Sequence, residues 1–192
     1  MDLTDDSPIA ALAAAIEEAA FRCAEPLQEW MNFPTDEEQK EKWFEIVWEH
    51  IFLLMHLVNR NAYGRLDEAA HERLIKELAP IVVMPLVAEF AGDRPDDFKE
   101  RVTREAFDGL NRSEQEYGGC GQFLGKPVFS GDSLVSVFAR KVCSLAGRSM
   151  QPDLMDEVVK RTVETYNGLT LKDRIAAVAG FLQSQNSTPQ DS

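Results

Sequence analysis

The sequence predicts an all-α protein: a single-domain bundle of about six to seven helices around a central helix at about 35–63, two helices being kinked by internal proline. Three observations predict it. Apolar residues recur at spacings of three and four, and no segment alternates as a half-buried strand does. Residues suited to capping a helix start stand ahead of the apolar stretches, as Ser7, Thr35 and Asp67 do. Glycines and prolines then punctuate the chain where one helix must stop and another begin.

The first helix is expected from Ser7 to about Met31, with Pro8 at the first helical position, where a missing N–H costs nothing. Pro26 lies inside it and should kink or split it. The second helix carries the clearest start signal. Thr35 and Glu38 form a T-x-x-E capping box, with acids in the first turn, and the helix can run to Tyr63 before Gly64. A third starts at Asp67. Pro80 and Pro85 predict a break near Ala79 and a second, kinked segment to Phe90, stopped by Gly92.

A fourth helix begins at Asp93 or Asp96 and ends at Gly118-Gly119. Residues 118–131 hold five glycines and are expected to form the one substantial loop, a flexible connection, a lid or a partner contact. A fifth helix is expected over 132–146, and a last helical region over 152–183 with a break at Asn167-Gly168. The polar tail 184–192 is expected to be disordered. A chain of 192 residues with no internal repeat and no dividing linker is expected to be one domain, 1–192.

Charge is distributed unevenly. Residues 1–50 carry 13 acids and three bases, which accounts for most of the net charge of -13. Such a chain repels nucleic acid and anionic membrane at long range. The acidic N-terminal quarter reads either as a solvated face or as a docking face for a basic protein partner. Cys23, Cys120 and Cys143 are scattered and odd in number, against both a disulfide framework and a zinc site. The N-terminus lacks the basic start and apolar run of a signal peptide. The longest apolar candidate, 43–58, is interrupted by Glu45, Glu49, His50 and His56 and falls short of the roughly 20 residues a membrane helix needs. A cytoplasmic location follows as the expectation. A homo-oligomer is compatible with these features, but no face is singled out for it.

On a wheel of about 100° per residue, the second helix is apolar around more than half its circumference. Trp43, Ile46, Val47, Ile51, Leu53, Leu54, Leu57 and Val58 gather around His50. That breadth exceeds the stripe of a surface helix and makes this helix the centre of the bundle. His50 is then a buried imidazole, either a satisfied core histidine or the polar anchor of a ligand pocket. Glu45, Glu49, His56 and Arg60 fall on the opposite side. They form an exposed charged face, or a polar cluster closed by another helix. Tyr117, at the end of a nearly all-polar run, is the residue whose hydroxyl could turn inward to that stripe.

Catalytic and cofactor motifs fare poorly. Glu68-Ala69-Ala70-His71 matches the E-x-x-H of di-iron bundles, making Glu68 and His71 weak metal candidates, but those bundles need a second such unit and none exists here. Glu49 and His56 lie seven residues apart on one helix, about 10.5 Å along its axis, too far to chelate one ion alone. Gly118 to Pro127 fails the P-loop pattern, because Cys120 stands at the first glycine and Pro127 at the required Ser or Thr. Leu124 breaks the dinucleotide pattern. Cys120, flanked by glycine, has only Lys126 as a basic neighbour in sequence and makes no dyad. No cofactor is implied. The leading expectation is a non-enzymatic interaction or regulatory protein. The alternatives are a small-molecule-binding bundle with an enclosed pocket beside the central helix, and a metal-dependent enzyme using Glu49, His56, Glu68 and His71.

Overall fold

The structure is a computed structural model that describes residues 7–120, 133–149 and 151–186. Its elements, in chain order, are α1 (Pro8–Ala24), a 3-10 segment (Glu25–Trp30), α2 (Asp36–Ala62), α3 (Glu68–Ala91), α4 (Asp96–Gly118), α5 (Leu134–Leu145), α6 (Pro152–Gly168) and α7 (Leu171–Asn186). Among the described residues no strand forms; Tyr63 and Leu66 make one isolated bridge at the turn after α2. No helix among them is long and apolar enough to cross a membrane.

The caps act as local chemistry dictates. Ser7 accepts from Ala10 N at 3.1 Å, Thr35 from Glu38 N at 3.1 Å and Asp67 from Ala70 N at 2.8 Å, each satisfying an N–H that the first turn leaves orphaned. Pro26 ends α1: it cannot donate to the carbonyl of Arg22, and the chain tightens into the 3-10 segment instead of continuing as an α-helix to Met31.

The break expected near Ala79 does not occur. The helix α3 runs unbroken from Glu68 to Ala91 through Pro80 and Pro85. Both prolines are exposed. Each therefore lies on the outer face of the helix, where water can serve a carbonyl left without its N–H donor. Gly92 then stops the helix with φ 52, a left-handed conformation that a side chain would oppose. The helix α7 reaches Asn186, so the first three residues of the expected tail 184–192 are helical. Residues 187–192 and 121–132, the bulk of the glycine-rich loop, lie outside the described residues.

The core is organised by α2, which packs against α1, α3, α4, α5 and α7. Leu53 to Val58 are buried without interruption. Six consecutive buried residues at about 100° each point in every direction, so this part of α2 has neighbours all round. The neighbours arrive in an order that matters below. Phe52 and Gly109, then His56 and Glu114, then Arg60 and Cys120 bring α2 and α4 together in parallel. The helix α5 runs the opposite way, with Phe138 against His50 and Lys141 against Glu49.

A closed polar cluster and an open aromatic cleft

Two sites border α2. The first is the polar stripe, which α4 divides. Glu49 and His56 are buried, at 4% and 2% exposure, whereas Glu45 and Arg60 remain exposed. The stripe is therefore not one solvent face: the C-terminal turns of α4 lie across its middle.

At one end of that cover the Tyr117 hydroxyl donates to Glu49 Oε1. Lys141, from α5, places its Nζ 2.9 Å from the same oxygen and 2.8 Å from Glu116 Oε2. Burial pushes the Glu49 carboxyl above the usual carboxylate range, while the Tyr117 hydroxyl and the Lys141 ammonium oppose the rise. Burial, reinforced by the Glu49 charge and hydrogen bond, raises Tyr117 well above the usual phenol range. For Lys141 burial acts downward, and the bonds to Glu116 and Glu49 outweigh it, so its ammonium is held above the ordinary value. The result is a hydrogen-bonded knot joining α2, α4 and α5, in which one ammonium is shared between two carboxyl groups.

At the other end His56 Nδ1 donates to Glu114 Oε2 at 3.0 Å, and Asn59 Nδ2 donates to the same oxygen at 2.8 Å. The Asn59 side-chain Oδ1 accepts from His71 Nε2 at 2.6 Å. The Nε2 of His56 has no hydrogen-bond partner among the described residues. Arg60 donates to the carbonyl of Cys120 at 3.2 Å, closing the top of the cluster.

His50 stands apart from all of this. It is buried, its Nδ1–H donates to the carbonyl of Ile46 at 2.8 Å, and its ring meets Phe138 edge-on with centroids 4.9 Å apart. Burial lowers its pKa to about 4, so it is neutral at physiological pH. The metal candidates do not converge. Glu68 is exposed at the start of α3, while His71, Glu49 and His56 are each bonded elsewhere in the network just described. Among the described residues no group of three or more His, Cys, Asp or Glu is placed to hold a metal ion.

The second site was not indicated by any motif. Between the first half of α2, the end of α3, the start of α4 and the end of α5 lies a cleft of about 400 Å³. Phe44, Trp48, Phe52, Phe90 and Phe98 line it, with Val102, Ala106 and Leu145. Four of those five rings are only half-buried, Phe44 being the exception. Trp48 and Phe52 stack at 6.0 Å, Phe44 meets Phe90 at 5.0 Å, and Phe90 meets Phe98 at 6.2 Å. Arg94 and Arg101 both lie over the Phe98 ring, at 4.6 and 5.0 Å from its centroid. Glu49 and Lys141 form part of the floor, so the closed cluster and the open cleft share a wall. His50 does not line this cleft, nor do Pro80 and Pro85. The space lies at the C-terminal end of α3, where Phe90 lines it beyond both prolines, and it is an open cleft where an enclosed pocket was expected. Periodicity could mark Trp48 and Phe52 as apolar; that the start of α4 stands off from them is a property of the packing.

Compared with protein-family models, with curated proteins and with solved structures, the chain matches none.

Proposed function

We propose that the protein is a small-molecule-binding helical bundle whose ligand lies in the cleft between α2 and the start of α4. The observation that carries this reading is the cleft's lining: five aromatic side chains, four of them half-buried, around about 400 Å³. Ligand pockets are concave, of roughly 300–1,000 Å³, mainly apolar and furnished with a few polar groups. Leaving four aromatic rings partly wet forgoes burial that each could have gained, at about 25 cal/mol per Å². An apolar guest recovers it. The size suits a compact molecule better than a protein segment, which needs upwards of about 1,000 Å² of interface.

The test is a titration of the purified chain with N-phenyl-1-naphthylamine, a neutral dye that brightens in apolar surroundings. Saturable binding at one site is expected, abolished by Val102→Trp, which fills the cleft from α4, with helicity by circular dichroism unchanged. No saturable binding to the unaltered chain overturns the reading.

A second reading, a basic protein partner docking on the acidic N-terminal quarter, is favoured by one observation. Asp36, Glu37, Glu41 and Glu45 are all exposed along the first turns of α2. Partners captured on the immobilised chain should then elute as salt rises. Elution independent of salt counts against this surface.

A further inference from the structure

We infer that the cleft's ligand is an amphipathic organic anion, an apolar and preferably aromatic body bearing one carboxylate-like or sulfonate-like group, held by Arg94 and Arg101. The inference rests on the reading of the cleft as a ligand site and adds the chemistry of the ligand's head.

It follows from asking which charged groups around the cleft are already committed. Lys141 is committed to two carboxylates, at 2.9 and 2.8 Å. Glu49 is committed to Tyr117 and Lys141, and Glu45 to Lys42 through both oxygens, at 2.9 and 2.8 Å. The two arginines differ. The carboxylate nearest Arg94 is Glu37 at 3.8 Å, and that nearest Arg101 is Glu105 at 3.9 Å. Both distances exceed the roughly 3.2 Å reach of an N–H···O bond. The guanidiniums are therefore attracted to these acids without donating to them.

Both guanidiniums lie over one ring, that of Phe98. A guanidinium over an aromatic face keeps its N–H donors in its own plane, free for an acceptor at its edge. Each group lies within 5.0 Å of the same ring centre, and stacking restrains the side chains there. The acceptor geometry that matches a guanidinium fork is that of a carboxylate or another oxyanion. Phe98 joins this basic rim to the apolar interior through its contact with Phe90, and Phe90 in turn meets Phe44. A ligand with its head at the arginines thus places its body along the aromatic wall.

A cationic head has less to hold it. Of the acids lining the cleft, Glu49 and Glu45 are already paired and Glu105 lies 3.9 Å from Arg101, which leaves Glu41 on the rim. The overall charge of -13 sets a limit on the anion as well. Long-range repulsion grows with ligand charge, so a single negative group on an apolar body is favoured over a polyanion such as a nucleotide.

The test compares two dyes with the same anilinonaphthalene body: N-phenyl-1-naphthylamine, which is neutral, and 1-anilinonaphthalene-8-sulfonate. The full chain is expected to bind the sulfonate about tenfold more tightly than the neutral dye, with the margin shrinking as salt rises. In the Arg94→Gln/Arg101→Gln variant that margin, read as the ratio of the two dyes' affinities in the same variant, should vanish while the melting temperature is unchanged. Laurate should also displace the neutral dye at lower concentration than dodecylamine does. Equal affinity for the two dyes, a sulfonate margin that survives in the double variant, or stronger displacement by dodecylamine overturns the inference and leaves the cleft as a binding site for another class of molecule. Failure of the neutral dye to bind overturns the cleft reading itself, and this inference with it.

Discussion

The two ends of the contact between α2 and α4 solve the same packing problem in opposite ways. Near the start of α4, Phe98, Val102 and Ala106 line the same space as Phe44, Trp48 and Phe52, with Arg101 and Glu105 at its rim, and the two helices stand far enough apart to leave the cleft. Near its end, residues 113–117 are almost wholly polar, and yet here the contact closes: Tyr117 is fully buried and Ser113 nearly so. Apolar contact is non-directional, so the aromatic end tolerates a gap. A buried hydrogen bond or ion pair fixes its partners to within tenths of an ångström, so the polar end cannot. The polar end therefore sets the spacing of the aromatic end, and the opening lies beside the Glu49–Lys141 pair, where α4 presents Phe98, Val102 and Ala106 in place of a bonded partner.

Lys141→Met is the sharpest way to break this contrast. It keeps most of the side-chain stem but leaves the Glu49 carboxylate buried with only the Tyr117 hydroxyl as partner. Removing one member of a buried pair costs about 3 kcal/mol. The expected loss of unfolding free energy in urea at pH 7 is of that order. It should be smaller in mild acid, because Glu49, whose carboxyl is already raised by burial, takes up a proton there. The Glu49→Gln/Lys141→Met double variant should recover most of the loss, since it removes both charges and leaves an amide oxygen for Tyr117. If the single variant melts like the unaltered chain, the closed end is not held by this pair.

The architecture was legible because it depends on patterns that recur along the chain. The breadth of the apolar face on residues 43–58 identified the central helix, and Thr35 with Glu38 located its start. The polar stripe was legible only as a list. A wheel groups Glu45, Glu49, His56 and Arg60 by angle, but which of them a second helix covers depends on where α4 crosses, and no local signal encodes that. Pro80 and Pro85 misled for a related reason. A proline interrupts a helix where the unpaired carbonyl would be buried, and burial of that face is not a property of the proline. The cleft was legible only as a pocket beside the central helix, without its residues: its aromatic side chains come from α2, α3 and α4, and each reads as ordinary core within its own helix.

His50 sharpens the comparison from the other side of α2, because it is a buried titratable group with no charged partner among the described residues. Its folded pKa of about 4 lies below its ordinary 6.5, and burial is the cause. The unfolded chain therefore binds a proton between these values that the folded chain refuses, so this group's contribution to stability falls as pH drops through 6.5 towards 4. From pH 7 to 4.5 the loss should be roughly 2–3 kcal/mol by linkage. Glu49 contributes with the opposite sign: a raised carboxyl favours the folded state most below its unfolded value and loses that advantage as pH rises through its folded one. The comparison of His50→Leu with the unaltered chain, by urea unfolding at both pH values, isolates the histidine. A variant that loses stability in acid as steeply as the parent would show that His50 is not the buried neutral group described here.

Gly109 sits at the boundary between the two ends, and its substitution has the smallest effect on stability with the most direct effect on the cleft. A Cβ added there would lie 2.3 Å from Phe52 Cζ and 2.8 Å from Cε2. Overpacking of this kind costs about 1–3 kcal/mol. Against it stands the gain of about 1 kcal/mol when alanine replaces glycine within a helix. Phe52 is only half-buried and borders open space, so its ring can yield by turning into the cleft. Gly109→Ala is therefore expected to lower stability by no more than about 1 kcal/mol, while weakening N-phenyl-1-naphthylamine binding several-fold as Phe52 takes part of the ligand's volume. Urea unfolding and dye titration on the same preparation separate the two effects. A variant that is more stable than the parent and binds the dye equally well would mean that Phe52 retreats without narrowing the cleft, and that the close contact at Gly109 does not set its width.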